Sequence, residues 1–172
     1  CLRALWTQNP VEFRGEFYEV PPSHVGIPTV QSPHPPLLLG GAAPAALRRA
    51  GRLADGWIAS TREDLDSLPN AIAAVRAGAR EAGRDPDAVR IVVRAVPDLY
   101  ERPLAGTRRL LQGSDRQAID DLAELGRQGV TEVFLDLNFS SRVVSTDVDA
   151  GEAVAYAEHV LDMFAPAAPA SR

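Results

Sequence analysis

A chain of 172 residues is long enough for one domain with a real core and too short for two ordinary ones. Apolar residues at 45% and charged residues at 24% are the mix of a soluble globular protein, and no apolar run reaches the roughly 20 residues of a membrane-spanning helix. A net charge of -5 argues against nonspecific nucleic-acid binding, which needs a basic face, and the single Cys1 excludes an intramolecular disulfide or a multi-cysteine metal site. No basic segment leads into an apolar stretch in the manner of a signal peptide, so the expected setting is cytoplasmic, with no nucleic-acid and no membrane partner.

All 18 basic residues are Arg, and Ala fills 27 positions. That bias is the mark of a GC-rich genome, so a lone Arg carries less functional weight than usual. The lack of Lys excludes lysine Schiff-base and P-loop chemistry. The chain opens at Cys1 in what reads as the last turns of an amphipathic helix, Leu2 to Trp6, and is expected to be the back part of something longer. Val11-Glu12-Phe13 and Glu16 to Val20 alternate around Arg14-Gly15 as a short hairpin. Six of the 14 prolines fall between Pro21 and Pro36, which predicts an extended connection and no helix. Residues 1–36 are thus a lead-in, 37–164 a regular body, and 165–172 a frayed tail.

The body reads as four βα units. Leu37-Leu38-Leu39 runs into Gly40-Gly41 and a helix from Pro44 to Ala54, with Leu47, Ala50 and Leu53 as its apolar stripe. Gly56 to Ala59 is the second strand, and Leu68, Ile72, Val75 and Ala79 mark a helix that stops near Gly83. Val89 to Val96 is a near-continuous β-branched run, as in a parallel strand covered on both faces. Its helix opens on a capping box, Ser114 to Gln117, and ends before Gly129. Val130 to Leu137 is the fourth strand, and a last helix starts near Asp149 with Val154, Ala157, Leu161 and Phe164 on one face. The fold class is therefore α/β with a parallel sheet and right-handed crossovers. Four units make half of an eight-fold barrel of about 250 residues. A small open four-stranded sheet satisfies the same periodicity.

Leu5-Trp6-Thr7, Val11-x-Phe13-x-Gly15-x-Phe17-Tyr18, Pro35-Pro36-Leu37-Leu38-Leu39-Gly40-Gly41, Ala45 to Ala50 and Ala54-Asp55-Gly56-Trp57 occur in that order. Glu81 to Pro86, and Leu111-x-Gly113-Ser114 leading to Gly129-Val130-Thr131, continue the series. Together they resemble the luciferase-like monooxygenase family, in the branch that uses the deazaflavin coenzyme F420. The resemblance implies a TIM-type (β/α)8 barrel of which this chain holds the carboxyl-terminal half, strands five to eight. It implies an oxidoreductase or monooxygenase of actinobacterial type acting on a small molecule, with F420 as cofactor and FMN as the alternative. It names no catalytic residue here, because the front half contributes most of the ring pocket.

Gly40, Gly41, Ala42 and Ala43 lie where a strand's carboxyl end meets a helix amino terminus, a place that suits an anion. The same glycines can simply make a tight turn; the resemblance implies that this loop meets the cofactor's phosphate-bearing tail. Ser60 and Thr61 follow the second strand, where relatives contact substrate. Arg142, in the polar stretch Asn138 to Arg142, is a weaker substrate candidate against the reading of a solvated loop. Arg94 and Asp136, near the ends of strands three and four, either point into the barrel mouth or form ion pairs. Asp55-Gly56 is assigned a structural role. His24, His34 and His159 lack metal spacing, and no metal site is expected. Half a barrel leaves two open strand edges and an apolar face, so a homo-oligomer is expected. The alternative reading is a non-catalytic half-barrel, serving as a binding or assembly module or standing as a truncated family member.

Overall fold

The computed structural model describes residues 1–60 and 67–165. They form two compact units, Cys1–Leu37 and Leu38–Arg172. In the first, helix α1 (Leu2–Thr7) precedes an antiparallel hairpin of β1 (Val11–Arg14) and β2 (Glu19–Ser23). The Gly15 N–H donates to the Tyr18 carbonyl at 2.9 Å and closes the turn. Val11 is fully buried while Phe17 and Tyr18 stand exposed. Pro21 and Pro22 fall within β2, and no helix forms from there to Leu37.

The second unit carries a parallel four-stranded sheet. Its strands are β3 (Leu38–Gly40), β4 (Gly56–Ile58), β5 (Arg90–Ala95) and β8 (Glu132–Leu135), paired in that order. Chain order and strand order coincide, with no reversal of direction. Helices α2 (Pro44–Leu53), α3 (Leu68–Glu81), α4 (Asp115–Gln128) and α5 (Ala150–Phe164) alternate with the strands. The capping box at α4 is complete: Gln117 N–H donates to Ser114 Oγ, and Ser114 N–H donates to Gln117 Oε1.

Side-chain parity shows where the core lies. Trp57 and Ala59, Ile91 and Val93, and Ala95 pack with buried residues of the helices. The alternate residues, Ile58, Arg90, Arg94, Glu132 and Phe134, join neither cluster, as expected when a strand's side chains point to opposite faces. The helices α2 and α3 meet backbone to backbone. A Cβ on Gly51 would lie 1.9 Å from the Val75 carbonyl oxygen, and one on Gly78 would lie 2.3 Å from that of Arg48.

Four sequence expectations need correction. Leu53, placed on the apolar stripe of α2, is 55% exposed, and the helix buries Leu47, Ala50 and Gly51. Helix α5 does not bury Val154 and Leu161, which are 56% and 62% exposed. It packs through Tyr156, Val160, Met163 and Phe164, so that of the expected stripe Phe164 joins the core while Val154 and Leu161 do not. An Ala-rich helix with apolar residues on two sides does not reveal its buried side. The fourth strand ends at Leu135, and Leu137–Phe139 instead forms a 3₁₀ turn capped by Asp136. A two-stranded parallel piece, β6 (Asp98–Leu99) with β7 (Gln112–Gly113), lies within the connection before α4. Strands of two residues have no period to detect.

Candidate site at the carboxyl ends of the strands

The turn from β3 into α2 holds Gly40, Gly41, Ala42 and Ala43, all exposed. Gly41 has φ +119°, where a side chain is strained, and a Cβ there would press to 2.8 Å of the Ala46 Cβ. Its carbonyl accepts the Trp57 indole N–H at 3.0 Å, which anchors the turn on the core. The N-cap of α2 is Ala43, whose side chain cannot cap, and Pro44 follows at the first helical position. A helix start of this kind offers backbone donors and the positive end of the dipole to an anion.

Ser60 is exposed two residues beyond the end of β4. Thr61 lies outside the described residues. Asp55 precedes β4, and its carbonyl accepts the Arg90 N–H at 3.0 Å, a link between the amino ends of β4 and β5.

Arg94 and Asp136 pair with each other. The Arg94 Nε donates to Asp136 Oδ2 at 2.6 Å, and Nη2 engages the same oxygen. Asp136 is 1% exposed; its Oδ1 accepts both the backbone N–H and the side-chain amide of Asn138 at 3.1 Å. Burial pushes the Asp136 carboxyl up, but its bonds with Arg94 and Asn138 outweigh that and hold it below the ordinary carboxylate range. The Arg94 guanidinium carbon lies 5.9 Å from the Phe134 ring centre and 5.4 Å from that of Phe139.

At the β8 side of the unit, Arg142 is half-buried and far from a merely solvated loop residue. Its Nε donates to Asp98 Oδ1 at 3.1 Å, and its guanidinium lies 4.6 Å and 5.2 Å from the Tyr100 and Tyr156 ring centres. Asp98 also accepts from the Tyr100 hydroxyl at 2.8 Å and from Gln112 at 3.1 Å. Burial raises the Asp98 carboxyl, yet these donors bring it below its usual range. Tyr156 donates from its hydroxyl to the Pro97 carbonyl at 2.9 Å and accepts the Leu99 N–H at 3.1 Å; burial chiefly pushes its pKa up. A groove of about 710 Å³ runs past Tyr100, Arg102, Leu104, Arg142, Tyr156 and His159. His159 meets Asp115 of α4 at 3.0 Å, a partner its place near the end of α5 did not reveal.

The structure therefore joins Arg94 to Asp136, and Arg142 to Asp98, Tyr100 and Tyr156. It does not join Arg142 to Gly40–Ala43, which sit at the β3 edge, the opposite edge of the sheet from β8. Asp98, Tyr100 and Tyr156 were not foreseen. Tyr156 was the one with a signal, being a polar-tipped aromatic four residues before Val160 on α5. Among the described residues, no group of three or more His, Cys, Asp or Glu side chains is placed to hold a metal ion, and no helix is long and apolar enough to cross a membrane.

Residues 1–119 match the family of luciferase-like monooxygenases. An uncharacterized protein of Mycobacterium tuberculosis is 36% identical over 128 residues, which is 72% of this chain and 44% of that protein. An F420-dependent hydroxymycolic acid dehydrogenase of the same organism is 33% identical over 85 residues, covering 49% of this chain and 22% of the relative. An FMNH2-dependent dimethylsulfone monooxygenase of Pseudomonas putida is 28% identical over 123 residues, covering 70% and 33%. The crystal structure of a monooxygenase from Streptomyces bottropensis superposes with a TM-score of 0.69 at 21% identity, over 95% of this chain and 59% of that one, a likeness of fold. This chain spans less than half the length of these curated relatives. With the match running through more than two thirds of the chain over a parallel α/β fold, the chain belongs to the luciferase-like monooxygenase family.

Proposed function

We propose that this chain is the carboxyl-terminal half of a (β/α)8 barrel and supplies one part of an oxidoreductase: the seat for the phosphate end of F420 and a share of a small-molecule substrate pocket. The strand order carries the reading. Strands added in chain order by crossovers of one hand send every helix to the same face, whereas a doubly wound sheet must reverse direction. The register is also staggered, so that Gly40, the last residue of β3, stands level with Glu132, the first of β8. Such a stagger suits strands tilted around a barrel. Barrel enzymes work at the carboxyl ends of their strands, where Gly40–Ala43, Ser60 and Arg94 lie.

In this reading the Gly40–Ala43 turn holds a phosphate through backbone N–H groups, with Gly41 leaving room for close approach. Ser60 and Arg142 are assigned to the substrate, as is Thr61 from its place in the sequence. Hydride transfer belongs to the bound cofactor; the chain's residues bind, orient and exclude water. The name of the mycobacterial dehydrogenase favours F420. That of the dimethylsulfone monooxygenase keeps FMN as the second reading, since both cofactors end in a phosphate-bearing tail. The open edges at β3 and β8 favour a homo-oligomer in isolation.

Native mass spectrometry with added F420 or FMN, on the wild type and on Gly41→Val, tests this. Retention of F420 by a wild-type oligomer and at least tenfold weaker retention by the folded variant is the expected result. Retention of FMN alone shifts the assignment to the second reading. A monomer that ignores both leaves a scaffold without the cofactor role.

A further inference from the structure

Arg94 shares the parity of the strand residues that join neither core cluster, two residues beyond Val92 on β5 and in lateral register with Phe134 of β8. Ser60 follows β4, two residues beyond Ile58, which pairs with Val92. Arg94 and Phe134 thus stand side by side near the carboxyl ends of β5 and β8. A guanidinium carries five N–H donors. Asp136 takes the Nε side through a single oxygen, which leaves the Nη1 end of the fork with no partner among the described residues. The Arg94 side chain is 37% exposed. Asp136 has no capacity to spare: Oδ2 holds Arg94 and Oδ1 holds both donors of Asn138. It is therefore a fixed anchor at the back of Arg94 and does not compete at the front.

The surroundings of that fork are apolar. Phe134 of β8 and Phe139 of the following 3₁₀ turn flank the guanidinium and are 51% and 63% exposed. A cation held on one side by a buried carboxylate, flanked by exposed rings and open at its planar end is built to bind a second oxyanion in a bidentate way. The Arg90–Glu132 pair at the other end of β5 shows the contrast. There the carboxylate is itself exposed, with both oxygens of Glu132 on Arg90 at 2.6 Å, and among the described residues no aromatic ring flanks the guanidinium.

We propose that Arg94, positioned by Asp136 and flanked by Phe134 and Phe139, reads the oxyanion of an amphipathic substrate, one that carries a carboxylate or phosphate on an apolar body. This deepens the function proposed above and rests on it for the role of that end of the sheet, while the binding itself is measurable without any cofactor.

The test is a titration of the 172-residue chain with benzoate, phenyl phosphate and the neutral benzyl alcohol, followed by NMR shifts of the phenylalanine rings. Benzoate or phenyl phosphate is expected to bind at least tenfold more tightly than benzyl alcohol, and the stronger of the two distinguishes a carboxylate from a phosphate. Arg94→Lys, which keeps the charge and loses the fork, is expected to remove most of that preference. The double variant Arg94→Gln with Asp136→Asn avoids leaving a buried carboxylate unpaired, and is expected to remove it entirely with the circular dichroism spectrum unchanged. Asp136→Asn alone is expected to weaken benzoate more than benzyl alcohol; an equal loss for both marks Asp136 as merely structural. Equal wild-type affinities for all three probes, no binding of either anion, or full preference in the double variant overturns the proposal. Cofactor retention is read separately: Gly41→Val is expected to leave benzoate binding intact, and the Arg94 variants to leave F420 or FMN retention intact, so either reading can fail without the other.

Discussion

The two faces of one sheet differ more than any two segments of the chain. On the helix-covered face Trp57, Ile91 and Val93 are at most 3% exposed and belong to the apolar core cluster. On the other face the same strands present two Arg–carboxylate pairs and a half-exposed Phe134. Alternation along a strand makes both faces from one run of residues, so what separates them is what each face is built to meet. Close-packed side chains without polar atoms give stability. Charge pairs add little net stability and cost desolvation, which is reasonable only where the face must meet something other than its own helices.

The largest expected effect is on the covered face. Trp57→Ala empties a fully buried site and removes the bond to the Gly41 carbonyl, so urea unfolding should show a loss of about 3–5 kcal/mol. Phe134→Ala on the open face should cost about 1 kcal/mol or less in the same assay. Equal losses would break the contrast. Gly51→Ala sets a methyl against the α3 backbone and should cost about 1–3 kcal/mol or more, because neither helix can retreat without opening the core. Tyr156→Phe removes the hydroxyl that joins the Pro97 carbonyl and Leu99 N–H, with an expected loss of about 1–2 kcal/mol in thermal unfolding. Ser114→Ala, which deletes half of the capping box, should cost about 1 kcal/mol.

Acid should sharpen the comparison further. The carboxyls of Asp98 and Asp136 titrate below their unfolded values, so the folded state binds those protons less readily than the unfolded chain does. Their contribution is complete above about pH 5 and falls away as the pH drops below about 4. Tyr156 has the opposite sign: its raised pKa favours the folded state up to about pH 10, and that advantage is lost above it. Unfolding followed across pH should therefore show a shallow plateau in the neutral range. Asp98→Asn should flatten the acid limb, and an unchanged limb would remove Asp98 from this account.

Much of this molecule is legible in its order of residues. The alternation of apolar runs with 3.6-period stripes, the Gly40-Gly41 turn, the Ser114 to Gln117 box and the Asp149 cap are local, because each depends on neighbours within four residues. Family membership was readable for the same reason, in short motifs kept in order. The buried side of α5, the β6–β7 pairing, and the partners of Arg94 and Arg142 were decided only in three dimensions. Arg94 meets Asp136 across 42 positions and Arg142 meets Asp98 across 44, and no periodicity spans such distances. Whether an arginine is a solvated surface charge or the aimed donor of a site depends on which strand lies beside it. That is set by the pairing of β5 with β8, a property of the sheet and not of either strand alone.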